Sequence, residues 1–128
     1  MKLAVLLILV GACAGEIDNP ARFADCPPGY VEQVFQSKCG DCHGANEPDA
    51  NLDLASPGVD MRVRGMESLG MCEGRVLVDT MGGDHLMLEK LEDKPTCGSP
   101  MPLGKPKLSA ADHECVRRWV EDVAGGGQ

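Results

Sequence analysis

The chain has 128 residues, about the length of one modest domain, and 43% of them are hydrophobic, which excludes wholesale disorder, a large enzyme and a multi-domain protein. Twenty acidic residues against 12 Lys and Arg give a net charge of −8, which argues against a nucleic-acid partner because phosphate neutralisation needs clustered cations. Only 3% of residues are aromatic, a thin supply for a core, while 16 Gly and 9 Pro predict extensive loops.

The N-terminal segment predicts export. Residues 3–10 form an apolar run that is too short to span a bilayer permanently, and small residues follow it, which is typical of a secretory signal peptide over residues 1–12. Residues 10–13 read Val-Gly-Ala-Cys and resemble a bacterial lipobox, so we expect Cys13 to be the lipidated first residue of the mature chain. The alternative is an ordinary signal peptide cleaved nearby, with Cys13 incidental. Export places the mature chain in the periplasm or cell envelope, attached to a membrane by lipid only, with a net charge of −9 once Lys2 is lost.

The next segment leads into the main domain. Residues 13–26 are polar and unpatterned, which predicts a short tether before a domain over residues 27–125 and a tail over 126–128. Apolar residues recur at helical spacing within residues 29–38 and predict the first helix there. These apolar residues are Val31, Val34 and Phe35.

Directly after this helix the chain reads Cys-Gly-Asp-Cys-His over residues 39–43, the C-x-x-C-H signature for attachment of c-type haem. Cys39 and Cys42 would lie on one side of a helical turn, where two thiols can add to the two vinyl groups of one haem. The adjacent His43 can place its imidazole beneath the iron as the proximal ligand. The motif therefore predicts one covalent haem c, bound by Cys39, Cys42 and His43.

Three alternatives to haem attachment have less support in the sequence. A chance match is a rare event even at this cysteine content. A thioredoxin-like C-x-x-C needs a βαβ context, and no strand rich in Val and Ile precedes Cys39. A zinc site needs four ligands, and Cys72 and Cys97 stand apart instead of forming a second close pair.

The middle of the chain predicts short elements between loops. Residues 44–58 predict a loop, with Leu52 and Leu54 tucked over the cofactor, and residues 59–64 predict a short helix. Residues 75–78 predict a brief extended segment. Asp84 is a candidate cap for a helix from 85 to about 91, whose packing residues would be Leu86, Leu88 and Leu91.

A second axial ligand for the iron is expected from the Pro- and Gly-rich loop over residues 92–108. Met101 lies there between Pro100 and Pro102, which stiffen the backbone and could aim a thioether at the metal. His85 is the competing candidate for this position. The remaining methionines are expected to fill the core. His113 is expected to lie on a helix and to face solvent. Those methionines are Met61, Met66, Met71, Met81 and Met87.

The last helix has clear start and stop signals. Ser109 is a good N-cap three residues before Asp112, and residues 125–127 are glycines that would end the helix. Its expected apolar face consists of Cys115, Val116, Trp119, Val120 and Val123. The whole pattern predicts an all-α frame of three to five short helices and long loops, wrapped around one haem. Because a porphyrin is a large apolar body, it would supply much of the missing core, and the haem-free chain should fold poorly.

In this order the motifs resemble those of small class I c-type cytochromes, particularly the exported monohaem domains of soil and marine bacteria. In that family C-x-x-C-H is followed by a G-L-D-L-like segment, a K-L-like pair, a C-G-x-x-M-P loop and a terminal helix with Trp. The corresponding positions here are residues 39–43, 51–54, 90–91, 97–102 and Trp119, with Asn51 where the family often has glycine. The resemblance covers roughly residues 27–125 and implies a cytochrome c-like fold.

Four cysteines remain besides Cys13 and the haem motif, and they allow three pairings. An exported chain meets an oxidising compartment in which disulfides persist, whereas four reduced thiols are the alternative. The first and last helices cross in class I cytochromes, so the resemblance implies a Cys26–Cys115 bridge that ties the termini. Cys72 and Cys97 would then close a loop ahead of Met101, with a contribution of about 3 kcal/mol in the chain-entropy model.

Together these expectations describe an electron carrier and not an enzyme. With two protein ligands the iron has no vacant position for a substrate, and a thioether ligand favours Fe(II). The acidic surface would favour redox partners with basic docking patches. Two alternatives stay open: a five-coordinate haem enzyme or sensor of peroxidase-like type, which requires Met101 to be off the iron, and a haem-free envelope lipoprotein that folds on disulfides or zinc.

Overall fold

The structure is a computed structural model, and it describes residues 18–127. The expected signal peptide over residues 1–12, the lipidation site Cys13 and the start of the tether lie outside the described residues, as does the last residue of the tail.

Helices and loops make up the described part of the chain. Its four α-helices are α1 (Tyr30–Lys38), α2 (Val59–Val63), α3 (Leu86–Glu89) and α4 (Ala110–Gly125). Short 3-10 helices occur at Pro20–Phe23, Asp49–Asn51 and Gly70–Cys72. Residues 18–127 contain no β-strand, only two isolated bridges. The all-α class is confirmed, and four helices lie within the expected three to five.

Helices α1 and α4 pack against each other as the main structural unit. The predicted apolar residues of α1 are all buried, and so are four of the five predicted on α4. The fifth, Trp119, is half-buried and packs edge-on against Phe35, with ring centroids 5.2 Å apart. The Tyr30 hydroxyl donates a hydrogen bond of 2.6 Å to Asp112 Oδ1, which adds a polar contact between the two helices.

The ends of α4 follow their sequence signals. Ser109 Oγ accepts the backbone N–H of Asp112 at 3.0 Å, so this residue is the N-cap that the sequence predicts. The helix ends where Gly126 adopts a left-handed conformation with φ of 73°, which glycine tolerates without steric cost.

The predicted start of α3 is wrong in detail. His85 occupies the N-cap position, but its side chain accepts no N–H of the helix, and the helix covers Leu86–Glu89 instead of residues 85–91. The carboxylate that organises this region belongs to Asp79, whose Oδ1 accepts the N–H groups of Met81 at 2.6 Å and Gly83 at 3.1 Å. The first N–H groups of α3, those of Leu86 and Met87, donate instead to the carbonyls of Val76 and Leu77 at 3.1 and 3.0 Å, so the exposed Asp84 caps nothing.

The predicted extended segment over residues 75–78 forms two bridges to the chain that follows α2. Val76 pairs antiparallel with Glu67, and Val78 pairs parallel with Arg64. Leu77 and Val78 are buried, and the N–H of Leu77 donates to the carbonyl of Met66 at 2.8 Å. The segment therefore joins the middle of the chain to the core without forming a sheet.

The expectation that five methionines fill the core is wrong for three of them. Met87 is buried and Met66 is half-buried, but Met61, Met71 and Met81 are 81%, 78% and 92% exposed. On the five-residue helix α2, Val59 and Val63 are four positions apart and face the core, which leaves Met61 on the opposite side. Met71 and Met81 lie in tight turns, where the backbone directs their side chains outward.

His113, expected to face solvent, is only partly exposed, and its Nε2 lies 3.6 Å from a carboxylate oxygen of Glu92. Glu92 lies in the loop that follows α3.

Two disulfides cross-link the fold, and they are the pairs that the family resemblance implies. Cys26, just before α1, is bonded to Cys115 in α4. Cys72 is bonded to Cys97, and the Cα–Cα distance is 5.5 Å in both pairs. The first bridge fastens the start of the domain to its last helix, and the second fastens the Met101 loop to the middle of the chain.

Among residues 18–127, no helix has the length and apolar character needed to cross a membrane.

Candidate functional site

The C-x-x-C-H motif continues directly from α1 as one further turn. The N–H groups of Cys39 and Gly40 both donate to the carbonyl of Phe35, each at 2.9 Å. The N–H groups of Cys42 and His43 then donate to the carbonyl of Cys39, at 3.2 and 2.8 Å. This turn gathers both thiols and the imidazole at the C-terminal end of a helix that the core holds in place.

Cys39 and Cys42 are free thiols, whereas the other four cysteines of the described region are paired. Cys39 is half-buried, and burial raises the pKa of its thiol to about 11, partly offset by the positive charge of Lys105. Cys42 is exposed. The turn therefore presents two unpaired sulfurs, one half-buried and one exposed.

His43 has a defined orientation because its ring nitrogen Nδ1 lies 3.0 Å from the carbonyl oxygen of Asp49. A carbonyl oxygen only accepts hydrogen bonds, so Nδ1 carries the proton and Nε2 of the neutral ring keeps its lone pair. The loop that supplies this carbonyl is itself fastened to the motif: Asp49 N–H donates to the carbonyl of Cys42, and Leu54 N–H donates to that of His43, both at 2.8 Å. The imidazole is thus prepared to bind a metal through Nε2.

The competing histidine has the opposite arrangement. His85 Nδ1 lies 3.0 Å from the backbone nitrogen of Asp79, whose N–H can only donate. The lone pair of Nδ1 is therefore occupied, and the proton of the neutral ring is on Nε2. His85 would have to break this bond to bind a metal through Nε2, which favours Met101 over His85 as the second ligand.

Met101 is half-buried and lies on a segment that is fastened at both ends. Its N–H donates to the carbonyl of Lys90 at 2.6 Å. The ammonium of Lys90 donates to the carbonyl of Cys97 at 3.0 Å, and Cys97 is also bonded to Cys72. Burial lowers the pKa of Lys90, with a smaller opposing effect of the Glu89 charge. The segment over residues 97–101 is therefore held on the end of α3.

One ion pair connects the C-x-x-C-H motif to the loop over residues 92–108 that holds Met101. Lys105 pairs with Asp41, which lies inside the motif 64 positions earlier in the chain. The hydrogen bond and charge of Lys105 lower the pKa of the Asp41 carboxyl, and the same contact raises the pKa of Lys105. The C-x-x-C-H turn and the loop that follows Met101 are thus connected by two side chains that neither motif highlights.

The sequence did not indicate the supporting residues of this site. Asp49 contributes a backbone carbonyl, which every residue type has, so no pattern distinguishes it. Lys90 and Lys105 carry no signal beyond their positions, in the K-L pair and four residues after Met101. Only the position of Asp41 within C-x-x-C-H could have drawn attention to it.

Within the part of the chain that the structure describes, no group of three or more His, Cys, Asp or Glu side chains is placed to hold a metal ion by itself. Comparison with protein-family models, with curated proteins and with solved structures finds no match to this chain.

Proposed function

We propose that this protein is an electron carrier that holds one covalent haem c through Cys39 and Cys42, with His43 and Met101 as its axial ligands. The observation that carries the proposal is the orientation of His43, whose Nδ1 proton is held by the Asp49 carbonyl beside two unpaired thiols. A metal-binding histidine in proteins commonly donates its other ring N–H to a carbonyl or carboxylate in this way.

The state of the cysteines also supports attachment. Thioether bonds need reduced sulfurs, and the described region leaves only Cys39 and Cys42 unpaired while four other cysteines form disulfides. Both sulfurs lie on the turn that ends in His43. The residues present therefore fit a haem held covalently at the end of α1.

The second ligand is supported by the way its loop is held. Met101 is fastened to Lys90, while Asp41 and Lys105 connect its loop to the haem motif. Held by a histidine and a methionine, a haem would supply one-electron exchange and would leave no position for a substrate. The role of these chain residues is to keep both ligands in place in either oxidation state.

The finer description of the fold belongs to the same proposal. We infer a cytochrome c-like arrangement, in which α1 delivers the haem motif and α4 supports α1 from behind through Trp119 and Phe35. The long loops between residues 44 and 108 would then surround the cofactor. This arrangement accounts for the scarcity of aromatic core residues in a chain of this length.

Location and partners complete the proposal. The apolar run at the N-terminus and Cys13 favour an exported, lipid-anchored protein of the bacterial cell envelope. Two disulfides suit that oxidising compartment. The net charge of −8 favours redox partners with basic docking surfaces.

Attachment is tested by expressing the full chain in a host that has haem c maturation machinery. We expect mass spectrometry to find one haem on the peptide that contains residues 39–43. We also expect the denatured protein band on an electrophoresis gel to stain for haem peroxidase activity. Cys39→Ala/Cys42→Ala should lose the haem, whereas the matched control Cys72→Ala/Cys97→Ala should keep it. A wild-type peptide without added mass would overturn the proposal and favour the haem-free lipoprotein.

Axial ligation is tested separately. Met101→Ala should keep the covalent haem, lose the ferric charge-transfer absorption that reports a thioether ligand, and bind cyanide or CO readily. Met61→Ala, which changes an exposed methionine, should do none of this. If the wild-type protein already binds CO rapidly and lacks the thioether band, the five-coordinate enzyme or sensor is the better description.

A further inference from the structure

We propose that Lys90 is a positioning residue for the iron ligand Met101, acting as a clamp that holds both ends of the segment over residues 97–101. This inference rests on the proposed function, because the segment matters only if Met101 binds the iron.

The clamp uses both the side chain and the main chain of one residue. The ammonium of Lys90 donates to the carbonyl of Cys97 at 3.0 Å, and the carbonyl of Lys90 accepts the N–H of Met101 at 2.6 Å. The first and last residues of a five-residue segment are therefore bound to the same point on the fold. Lys90 is itself fixed, because its N–H donates to the carbonyl of Leu86 in α3 at 2.9 Å.

Gly98 makes room for the ammonium group. It has a positive φ of +63°, and a Cβ atom built at this position would lie 2.8 Å from Lys90 Nζ and 3.6 Å from Cys72 Sγ. A side chain here would push the ammonium away from the carbonyl that it binds. Position 98 is therefore a glycine where the Lys90 ammonium approaches the backbone of the segment.

The disulfide alone does not position Met101. It fixes Cys97 to Cys72, but Met101 lies four positions further along the chain, at the other end of the segment. Pro100 restricts part of that stretch, while Gly98 adds freedom. The two hydrogen bonds of Lys90 fix the positions of Cys97 and Met101, the first and last residues of the segment. They therefore set the direction of the Met101 side chain.

The test compares Lys90→Met with Lys94→Met on the holoprotein. Lys90→Met keeps the carbonyl that binds Met101 and a chain of similar length, but removes the ammonium. The control makes the same change at an exposed lysine of the neighbouring loop.

We expect Lys90→Met to weaken the ferric thioether band. It should also raise the affinity for imidazole, which competes with Met101 for the iron, by about tenfold or more, since a hydrogen bond to a charged group is lost. Lys94→Met should leave both unchanged, and Lys90→Arg should restore part of the wild-type behaviour.

A second pair of variants keeps the test independent of the stability of Lys90→Met. Gly98→Ala and Gly104→Ala both place an alanine at positive φ, +63° and +68°, but nothing lies within 4 Å of a Cβ at Gly104. Gly98→Ala should therefore reproduce the effect of Lys90→Met on imidazole affinity, and Gly104→Ala should not.

The outcomes separate the two proposals. If the wild-type protein carries no covalent haem or lacks the thioether band, the proposed function fails first. If the wild-type protein is Met-ligated and imidazole binds Lys90→Met and Gly98→Ala no more tightly than their controls, the proposed function stands and the clamp is overturned.

Discussion

At the scale of single residues, the hydrogen-bond partner of Nδ1 distinguishes the two histidines His43 and His85. His43 faces a carbonyl and His85 faces an N–H, so the lone pair of Nε2 is free in the first ring and the proton occupies Nε2 in the second. The environment, not the residue type, therefore favours His43 as a ligand of the proposed haem.

This contrast leads to a prediction. His43→Gln should abolish the six-coordinate, low-spin spectrum of the holoprotein, whereas His85→Gln should leave it unchanged, because glutamine can still accept the N–H of Asp79 through its amide oxygen. Absorption and magnetic circular dichroism spectra of the two variants check it. Loss of the six-coordinate spectrum in His85→Gln, together with an unchanged spectrum in Met101→Ala, would identify His85 as the distal ligand instead.

Glu114 is the one charged residue that is buried among the described residues, and it is fully paired. Its carboxylate accepts hydrogen bonds from Arg117 at 2.7 and 2.8 Å and from Arg118 at 3.0 Å. These partners, Arg117 above all, lower the pKa of Glu114 from 4.5 to about 2. Arg118 also binds the carbonyl of Ala24, so the group couples α4 to the segment before α1.

A pH dependence of stability follows from this shift. Because the pKa of Glu114 is lower in the folded chain than in the unfolded chain, its stabilising contribution is complete above about pH 4.5 and is lost as the pH falls toward 2. Glu114→Gln should therefore lower the thermal unfolding midpoint at pH 6, with a difference from the wild type that shrinks steadily as the pH falls from 4.5 toward 2. The exposed Glu73→Gln should show no such trend; a difference for Glu114→Gln that stays constant with pH would contradict the assignment.

At the scale of the helices, length decides how much each element depends on its surroundings. Helices α2 and α3 have five and four residues, far below the length at which an isolated helix is stable in water. Their buried residues, among them Val59, Val63 and Leu86, tie them to the core. The 16-residue α4 carries its own start and stop signals.

The N-cap of α4 gives a measurable prediction. Ser109→Ala should destabilise the holoprotein by about 1 kcal/mol, because the N–H of Asp112 loses its acceptor at the first turn. Ser37→Ala is the matched control, since that hydroxyl lies within α1 and caps no helix start. Denaturant unfolding of both variants measures the difference, and equal values would mean that the cap contributes nothing.

At the scale of the whole molecule, the two disulfides have different tasks. Cys26–Cys115 spans a sequence separation of 89 and joins both ends of the domain, whereas Cys72–Cys97 spans 25 and holds the Met101 loop. In the chain-entropy model the longer loop contributes about 1 kcal/mol more to stability than the shorter one.

We expect the different roles of the two disulfides to appear when each pair of cysteines is replaced by alanine in the holoprotein. Cys26→Ala/Cys115→Ala should cause the larger fall in unfolding free energy, with the thioether band intact in the folded state. Cys72→Ala/Cys97→Ala should cost less stability but weaken the thioether band and admit imidazole. Denaturant unfolding and ferric absorption spectra, measured on the same samples, check both parts, and the reverse pattern would refute it.

Features that depend on neighbours in the chain could be predicted from the sequence. The first helix, the haem motif at its end and the cap of the last helix follow from spacing and local hydrogen bonding, and the structure places α1 and the Ser109 cap at the predicted positions. The predictions for the start of α3 and for the burial of Met61, Met71 and Met81 are wrong, because turns and very short helices take their orientation from the rest of the fold.

The sequence by itself determined which groups are available: two cysteines and a histidine on one turn, a methionine between prolines, and four further cysteines. Only the tertiary structure decided how they are supported, through the Asp49 carbonyl on His43, the Asp41–Lys105 pair and the two hydrogen bonds of Lys90. These contacts join residues distant in the chain or use backbone atoms common to all residues. No local pattern encodes such contacts, since they form only when the chain is folded.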